Sequence, residues 1–257
     1  MNSLSKNRPK GMSRQALRIW GLVFIAIGAA GQAFLQNKML GVGTLDVEAL
    51  QKLLESDDHF AMASVALVIQ FVQACAIPVF AYLLVDGFQK TSSLKNYILR
   101  VLGVAVLSEL PYNLAMSAKW LDLNSRNPVF AMVLGLVMLY IFNYYAGWSV
   151  KNVLIKALTV FLAVLWVDML RIVDGMGIIV VVSALWALRN KRSLQIFGGC
   201  GVMFLCSVFS PFYLLAPVVF LTVYFYNDEI GDDNKWINYL AYPAVLLAIG
   251  ALAKYAF

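Results

Sequence analysis

The sequence is dominated by apolar runs of about the length that crosses a lipid bilayer. A spanning helix needs roughly 17–25 apolar residues, because the hydrocarbon core is about 30 Å thick and an α-helix rises about 1.5 Å per residue. The runs cover residues 16–35, 60–85, 97–114, 128–145, 153–167, 172–188, 194–209, 212–226 and 237–257. This pattern predicts an all-α, polytopic transmembrane helical bundle. The expected number of spans is about nine, in a range from eight to ten.

The composition agrees with a membrane protein and argues against a soluble one. Apolar residues make up 61% of the 257 positions and charged residues 13%, whereas about half of a soluble domain is apolar and about a quarter is charged. We therefore predict one integral membrane domain over residues 1–257. The seventh and eighth runs are short and are separated by Ser210-Pro211, so they form either a tight hairpin or one helix broken at the proline.

Basic residues concentrate in short segments between the apolar runs. Residues 1–15 form a basic tail that contains Lys6, Arg8, Lys10 and Arg14. When nine spans alternate from a cytoplasmic N-terminus, most of the 20 basic residues fall on the cytoplasmic side, as the positive-inside rule expects. The net charge of +6 thus follows from topology, and we expect no nucleic-acid partner.

The longest polar segment is residues 36–59. The same alternation of spans puts it on the outer face, and residues 47–54 within it have a helix-forming composition. We predict an outer-face loop that contains an interfacial helix.

Three places put acidic residues inside or beside the apolar runs. A charge at mid-bilayer costs at least about 2.5–3.5 kcal/mol, so such residues usually face the interior of the bundle. Asp86 follows the second run. It is either a residue at headgroup level that pairs with Lys90, or part of a functional site.

Glu109 is the most deeply placed of these acids. It lies nine residues beyond Arg100, which corresponds to about 14 Å at helical rise. Pro111 has no N–H, so it leaves the carbonyl of Leu107 without its helical partner and creates a polar pocket beside the acid. The alternative is a Glu109 that pairs with Arg126 or Arg171 from the outer face.

The third place is the segment from Asp168 to Gly177. Asp168, Arg171 and Asp174 are spaced by three, so in a helix they would share a face and pair. An outer-face turn with a surface ion pair is the alternative.

Cysteine and histidine offer little chemistry in this sequence. Cys75, Cys200 and Cys206 lie inside apolar runs, and His59 is the single histidine. We expect no disulfide framework and no metal site.

Several short motifs follow one another in a fixed order along nearly the whole chain. They are Ile-Pro-Val-Phe at 77–80, Asp-Gly-Phe at 86–88, Lys-Asn-Tyr at 95–97, Ser-Glu-Leu-Pro-Tyr-Asn at 108–113, Asn-Pro-Val-Phe at 127–130, Asp-Gly-Met-Gly at 174–177, Tyr-Asn at 226–227 and Tyr-Pro-Ala at 242–244. In this order they resemble the TraX family, which is named for a conjugation protein linked to N-terminal acetylation of pilin.

The resemblance implies a multi-pass acetyltransferase of the bacterial plasma (inner) membrane. Such an enzyme would transfer acetyl from acetyl-CoA to an amine or hydroxyl of a peptide, pilin-like or envelope acceptor. The implied sites comprise catalytic Glu109 and Asp174, coenzyme-binding Lys90, Lys95 and Arg100, and a substrate pocket of Asp86, Asn113, Asn127 and Tyr242.

The sequence departs from the family pattern where acid–base residues are expected. The Asp-His pair of the family's first span is replaced by Gly28 and Ala29, its closing histidine by Val245, and an arginine by Ala74. Two other hypotheses therefore stand beside the enzyme. One is a catalytically degenerate member that acts as a membrane assembly or accessory subunit. The other is a small-molecule transporter, against which the lack of an internal repeat counts.

Overall fold

The computed structural model describes residues 11–41, 57–230 and 235–256. Within these ranges the chain is helical, and extended pairing is limited to two isolated bridges. The prediction of an all-α fold is confirmed. Most of the basic tail and the proposed interfacial helix at 47–54 lie outside the described residues.

The helices are labelled in chain order. They are α1 (Arg14–Ala30, continued by a π-helix at Gly31–Met39), α2 (Asp57–Ala74), α3 (Ala76–Lys90), α4 (Leu94–Ser117), α5 (Val129–Tyr144), α6 (Val150–Met169), α7 (Gly175–Ala187), α8 (Arg192–Leu205), α9 (Phe220–Tyr224) and α10 (Lys235–Ala251, continued by a π-helix at Leu252–Ala256). Short 3₁₀ turns connect α8 to α9.

Five helical stretches of the described chain are long and apolar enough to cross a membrane. They are Arg14–Met39, Asp57–Lys90, Leu94–Ser117, Val150–Met169 and Ile237–Ala256. The other four predicted runs correspond to shorter apolar helices at Val129–Tyr144, Gly175–Ala187, Arg192–Val208 and Pro211–Tyr224. The chain is thus a helical protein with several candidate membrane spans.

The two short runs around Pro211 form a hairpin rather than a single broken helix. Pro211 begins a 3₁₀ turn, where its missing N–H is not needed. The segment Pro211–Tyr224 packs back against α8. Of the two alternatives that the sequence left open, the structure therefore has the tight hairpin.

The close pairing of α4 with α10 positions the site described below. At Gly250 a Cβ atom would lie 2.8 Å from the backbone nitrogen of Ala115. Such contact requires glycine and brings two helix backbones together, as small residues do in membrane bundles. The pairing fixes Tyr242 of α10 beside α4.

Candidate functional site

An apolar cavity of about 360 Å³ lies among α1, α3, α4, α5 and α10. Its walls come mostly from aliphatic and aromatic side chains, including those of Leu22, Phe80, Val101, Val104 and Met132. A second, polar cavity of about 180 Å³ adjoins it. Residues that line both cavities are Arg18, Leu83, Tyr97, Asn238 and Tyr239. The smaller cavity is therefore the mouth of the larger one, and we call it the cationic mouth.

Four cations line the cationic mouth: Arg14, Arg18, Lys90 and Arg100. None of the described lining residues is acidic. Arg100 also lies over the ring of Tyr239, with 5.9 Å between its guanidinium carbon and the ring centroid. Like charges gathered in a polar recess attract an anion, and arginine and lysine suit phosphate groups.

Asp86 forms ion pairs with two of these cations, Arg14 and Lys90. It is 8% exposed and accepts hydrogen bonds from Arg14 at 2.8 Å and from Tyr226 at 3.3 Å. Lys90 forms a salt bridge with it at 2.7 Å. The pairing of Asp86 with Lys90 is one of the two alternatives that the sequence raised. Asp86, which the sequence placed in the substrate pocket, does not line the mouth but pairs with two cations that do.

A backbone strap joins the start of α1 to the segment after α9. The N–H of Met12 donates to the carbonyl of Phe225 at 2.8 Å, and the N–H of Asn227 donates to the carbonyl of Met12 at 3.0 Å. Beside the strap, Asp228 pairs with Lys90 at 3.1 Å and with Arg192 at 3.4 Å. These contacts secure Arg14 at the mouth.

A polar groove continues outward from the mouth along the start of α4. It has a volume of about 500 Å³ and shares Thr91 and Arg100 with the mouth. Of the three predicted coenzyme-binding residues, Lys90 and Arg100 meet in the mouth. Lys95 is exposed and lines neither the mouth nor the groove.

The other end of the cavity borders a carboxylate network around Glu109. Glu109 accepts hydrogen bonds from the side-chain amide of Asn127 at 2.7 Å, from the backbone N–H of Asn127 at 3.2 Å and from Arg126 at 3.1 Å. Asn127 is fully buried and also donates to the carbonyl of Ala105 at 2.8 Å. The pairing of Glu109 with Arg126 is thus the alternative that forms. Pro128 and Val129, which follow Asn127, line the apolar cavity.

Asp174 lies in the loop that precedes α7. It accepts a hydrogen bond from the hydroxyl of Tyr213 at 2.7 Å. Burial raises the pKa of Asp174, and the hydrogen bond from Tyr213 opposes that rise. The expected helical face of Asp168, Arg171 and Asp174 does not form, because α6 ends at Met169. Arg171 and Asp174 both have left-handed backbone conformations, with φ of 54° and 58°.

Two further predicted pocket residues lie on α10 and α4. Tyr242 of α10 is buried and lines the apolar cavity. Asn113 follows Glu109 by one helical turn on the same face of α4. It is fully buried, and neither polar atom of its amide has a partner among the described residues. Such a group is costly to leave unpaired, so it favours a polar ligand or water.

Sequence reasoning missed Arg14, Arg18 and the apolar cavity. The spacing of the two arginines by four places them on one face of α1 and was the available signal. Among the described residues there is no group of three metal-binding side chains, and Cys75, Cys200 and Cys206 are free thiols.

The described helices and the polar sites at the two ends of their interior cavity define a helical membrane protein with an internal polar site. A family model described as TraX protein matches residues 13–253. The chain therefore belongs to the TraX family, as its motifs predicted. Comparison with curated proteins and with solved structures gives no significant match.

Proposed function

We propose that the protein is a membrane-embedded acetyltransferase that takes acetyl-CoA at the cationic mouth. The proposal is carried by one observation: a mouth lined by four cations opens into an apolar cavity whose lining includes Pro128 and Val129, the residues that follow Asn127, the partner of Glu109. A channel with a phosphate-binding end and a carboxylate-bearing end suits a donor with an anionic head and a long, narrow arm.

The residues present fit coenzyme A in chemical character. Arg14, Arg18, Lys90 and Arg100 would hold its phosphates. Gln15, which lines the apolar cavity, has a buried side-chain oxygen without a partner among the described residues, so it offers an acceptor to an amide N–H. The coenzyme supplies an acetyl thioester, which has a good leaving group.

The two predicted catalytic acids would have different roles. Acyl transfer requires a group that takes the proton of the acceptor. Glu109 accepts three hydrogen bonds, so its carboxylate is already engaged within the protein. Asp174 accepts one from Tyr213. We assign the base to Asp174, and to Glu109 the positioning of Asn127 at the end of the cavity.

The acceptor in this proposal is an amine or hydroxyl of a peptide, pilin-like or envelope molecule. The cationic end would face the cytoplasm, where acetyl-CoA is made, and the protein would reside in the bacterial inner membrane. The family assignment and the apolar helices support this setting.

Calorimetry on the purified protein in lipid nanodiscs tests the proposal. Acetyl-CoA should bind saturably to the wild type. Arg18→Ala and Arg100→Ala should each weaken binding about tenfold, since a hydrogen bond to a charged group contributes about 1.5–3 kcal/mol. Lys151→Ala, an exposed change outside the mouth, is the matched control. Absence of binding to the wild type would contradict the proposal.

A catalytically silent accessory subunit is the second candidate, and one packing detail favours it. A Cβ atom at Gly28, where the family carries the acid of its Asp-His pair, would lie 2.4 Å from the side chain of Gln73. The position is therefore closed by helix packing rather than left available to a reactive group. Failure to bind acetyl-CoA, together with stable co-purification of a membrane partner, would support this candidate.

A further inference from the structure

The apolar cavity ends at a defined depth. Along α4 its lining runs from Tyr97 to Val104, which is seven residues or about 10 Å of helix. Asn127 donates to the carbonyl of Ala105, the residue after Val104, at 2.8 Å. The carboxylate network therefore begins where the apolar wall stops.

Tyr242 is the large side chain at this end. It is 8% exposed and lines the cavity. The helices α4 and α10 run in the same direction, since Arg100 lies over Tyr239 and Gly250 meets Ala115. Along α10 the lining ends at Tyr242, three residues beyond Tyr239 of the mouth, so the ring stands at the deep end of the apolar space. The contact of Gly250 with the backbone of Ala115 holds α10 against α4, so the ring cannot recede by a shift of its helix.

We infer that Tyr242 sets the length of the acyl group that the site accepts. The inference rests on the proposed function and concerns the specificity of the same site. With the arm of the donor in the apolar cavity, the space left for the acyl group ends at the Tyr242 ring. A short acyl group such as acetyl fits in front of the ring, and a longer chain collides with it.

The experiment measures binding of acetyl-CoA and hexanoyl-CoA by calorimetry in lipid nanodiscs. The wild type should bind acetyl-CoA more tightly. Tyr242→Ala should improve the affinity for hexanoyl-CoA relative to acetyl-CoA by about tenfold or more, since each methylene that gains an apolar wall contributes about fourfold. Tyr242→Phe keeps the ring and should keep the wild-type order.

Two further variants keep the test decisive. Tyr242→Leu opens the same space with less loss of packing, and it replaces Tyr242→Ala if that protein unfolds. Tyr255→Ala removes an exposed tyrosine at the end of α10 and should leave both affinities unchanged.

The outcomes separate the inference from the proposed function. If acetyl-CoA binds and the ratio of the two affinities stays at its wild-type value in Tyr242→Ala and Tyr242→Leu, another residue ends the cavity and the inference is wrong. The same holds if the wild type already prefers hexanoyl-CoA. If the wild type binds neither thioester, the proposed function fails and the inference fails with it.

Discussion

The two ends of the interior cavity handle charge in opposite ways. At the cationic mouth, four cations line the cavity, and the two acids that pair with Arg14 and Lys90, Asp86 and Asp228, are not part of the lining. At the carboxylate end, three hydrogen-bond donors surround Glu109. The four cations of the mouth exceed the two described acids that pair with them, so positive charge remains for a ligand. At the carboxylate end, the negative charge of Glu109 is balanced by donors within the protein. Binding energy for an anion therefore resides at the mouth, while the far end supplies fixed geometry.

The largest expected effect comes from the acid behind the mouth. Asp86→Asn leaves Arg14 and Lys90 close together without their shared carboxylate, and breaking a buried pair costs about 3 kcal/mol. We expect a loss of stability of about that size in chemical unfolding of the detergent-solubilised protein. Coenzyme A should restore part of it, because its phosphates replace the missing negative charge. Asp168→Asn, which changes an exposed acid that lines neither cavity, is the control.

A smaller loss is expected at the carboxylate end. Asn127→Ala removes the amide that donates to Glu109 and to the carbonyl of Ala105, and leaving such acceptors unpaired costs about 1–3 kcal/mol. In contrast to Asp86→Asn, added coenzyme A should not offset this loss selectively. Asn124→Ala, which removes an exposed partner of Arg171, should have little effect. Equal rescue of Asp86→Asn and Asn127→Ala by coenzyme A would show that the two ends are not distinct.

Salt should separate the two ends further. The Debye length falls from about 10 Å at 0.1 M salt to about 3 Å at 1 M. The affinity for acetyl-CoA should fall severalfold over this range, because the mouth is open to solvent, while the loss of stability in Asn127→Ala should stay nearly constant. Titrations and unfolding curves at both salt concentrations provide the measurement. An affinity that does not depend on salt would argue against phosphate binding at the mouth.

The smallest expected effect is a shift in pH dependence. Burial raises the pKa of Asp174, so a base at this position becomes active only as the pH rises through that raised value. Tyr213→Phe removes the hydrogen bond that opposes the rise and should move the rising limb of the turnover profile to higher pH. A profile that keeps its position in this variant would exclude Asp174 as the base.

The sequence predicts the fold class because the length of an apolar run that can cross a bilayer as a helix is fixed by the thickness of the hydrocarbon core. It also raised the pairings of Asp86 with Lys90 and of Glu109 with Arg126, since each joins residues within about 20 positions. The mouth itself could not be predicted, because its lining residues come from distant parts of the chain. Arg14 and Arg18 belong to α1, whereas Tyr97 belongs to α4 and Tyr239 to α10. The spacing of the two arginines by four predicts a shared face of α1, but it does not show which distant helices that face meets.

The prediction that Asp168, Arg171 and Asp174 share a helical face was wrong for a different reason. Spacing by three predicts a shared face only while the helix continues, and α6 stops at Met169. The sequence there contains no proline before Gly175 that would have indicated the end. The left-handed conformation of Arg171 is set by tertiary contacts, in which its carbonyl accepts from the N–H of Arg126 at 2.9 Å.

The strap has a consequence for biosynthesis. It joins residues more than 200 positions apart, with the side chain of Asn227 donating to the carbonyl of Gly11 at 3.4 Å. Tyr239 of the mouth lies still further along the chain. During translation Arg14 leaves the ribosome long before Asn227 and Tyr239 do. The nascent chain thus carries an incomplete pocket until almost the entire polypeptide has been inserted, and a truncation before α10 yields a protein without one wall of it.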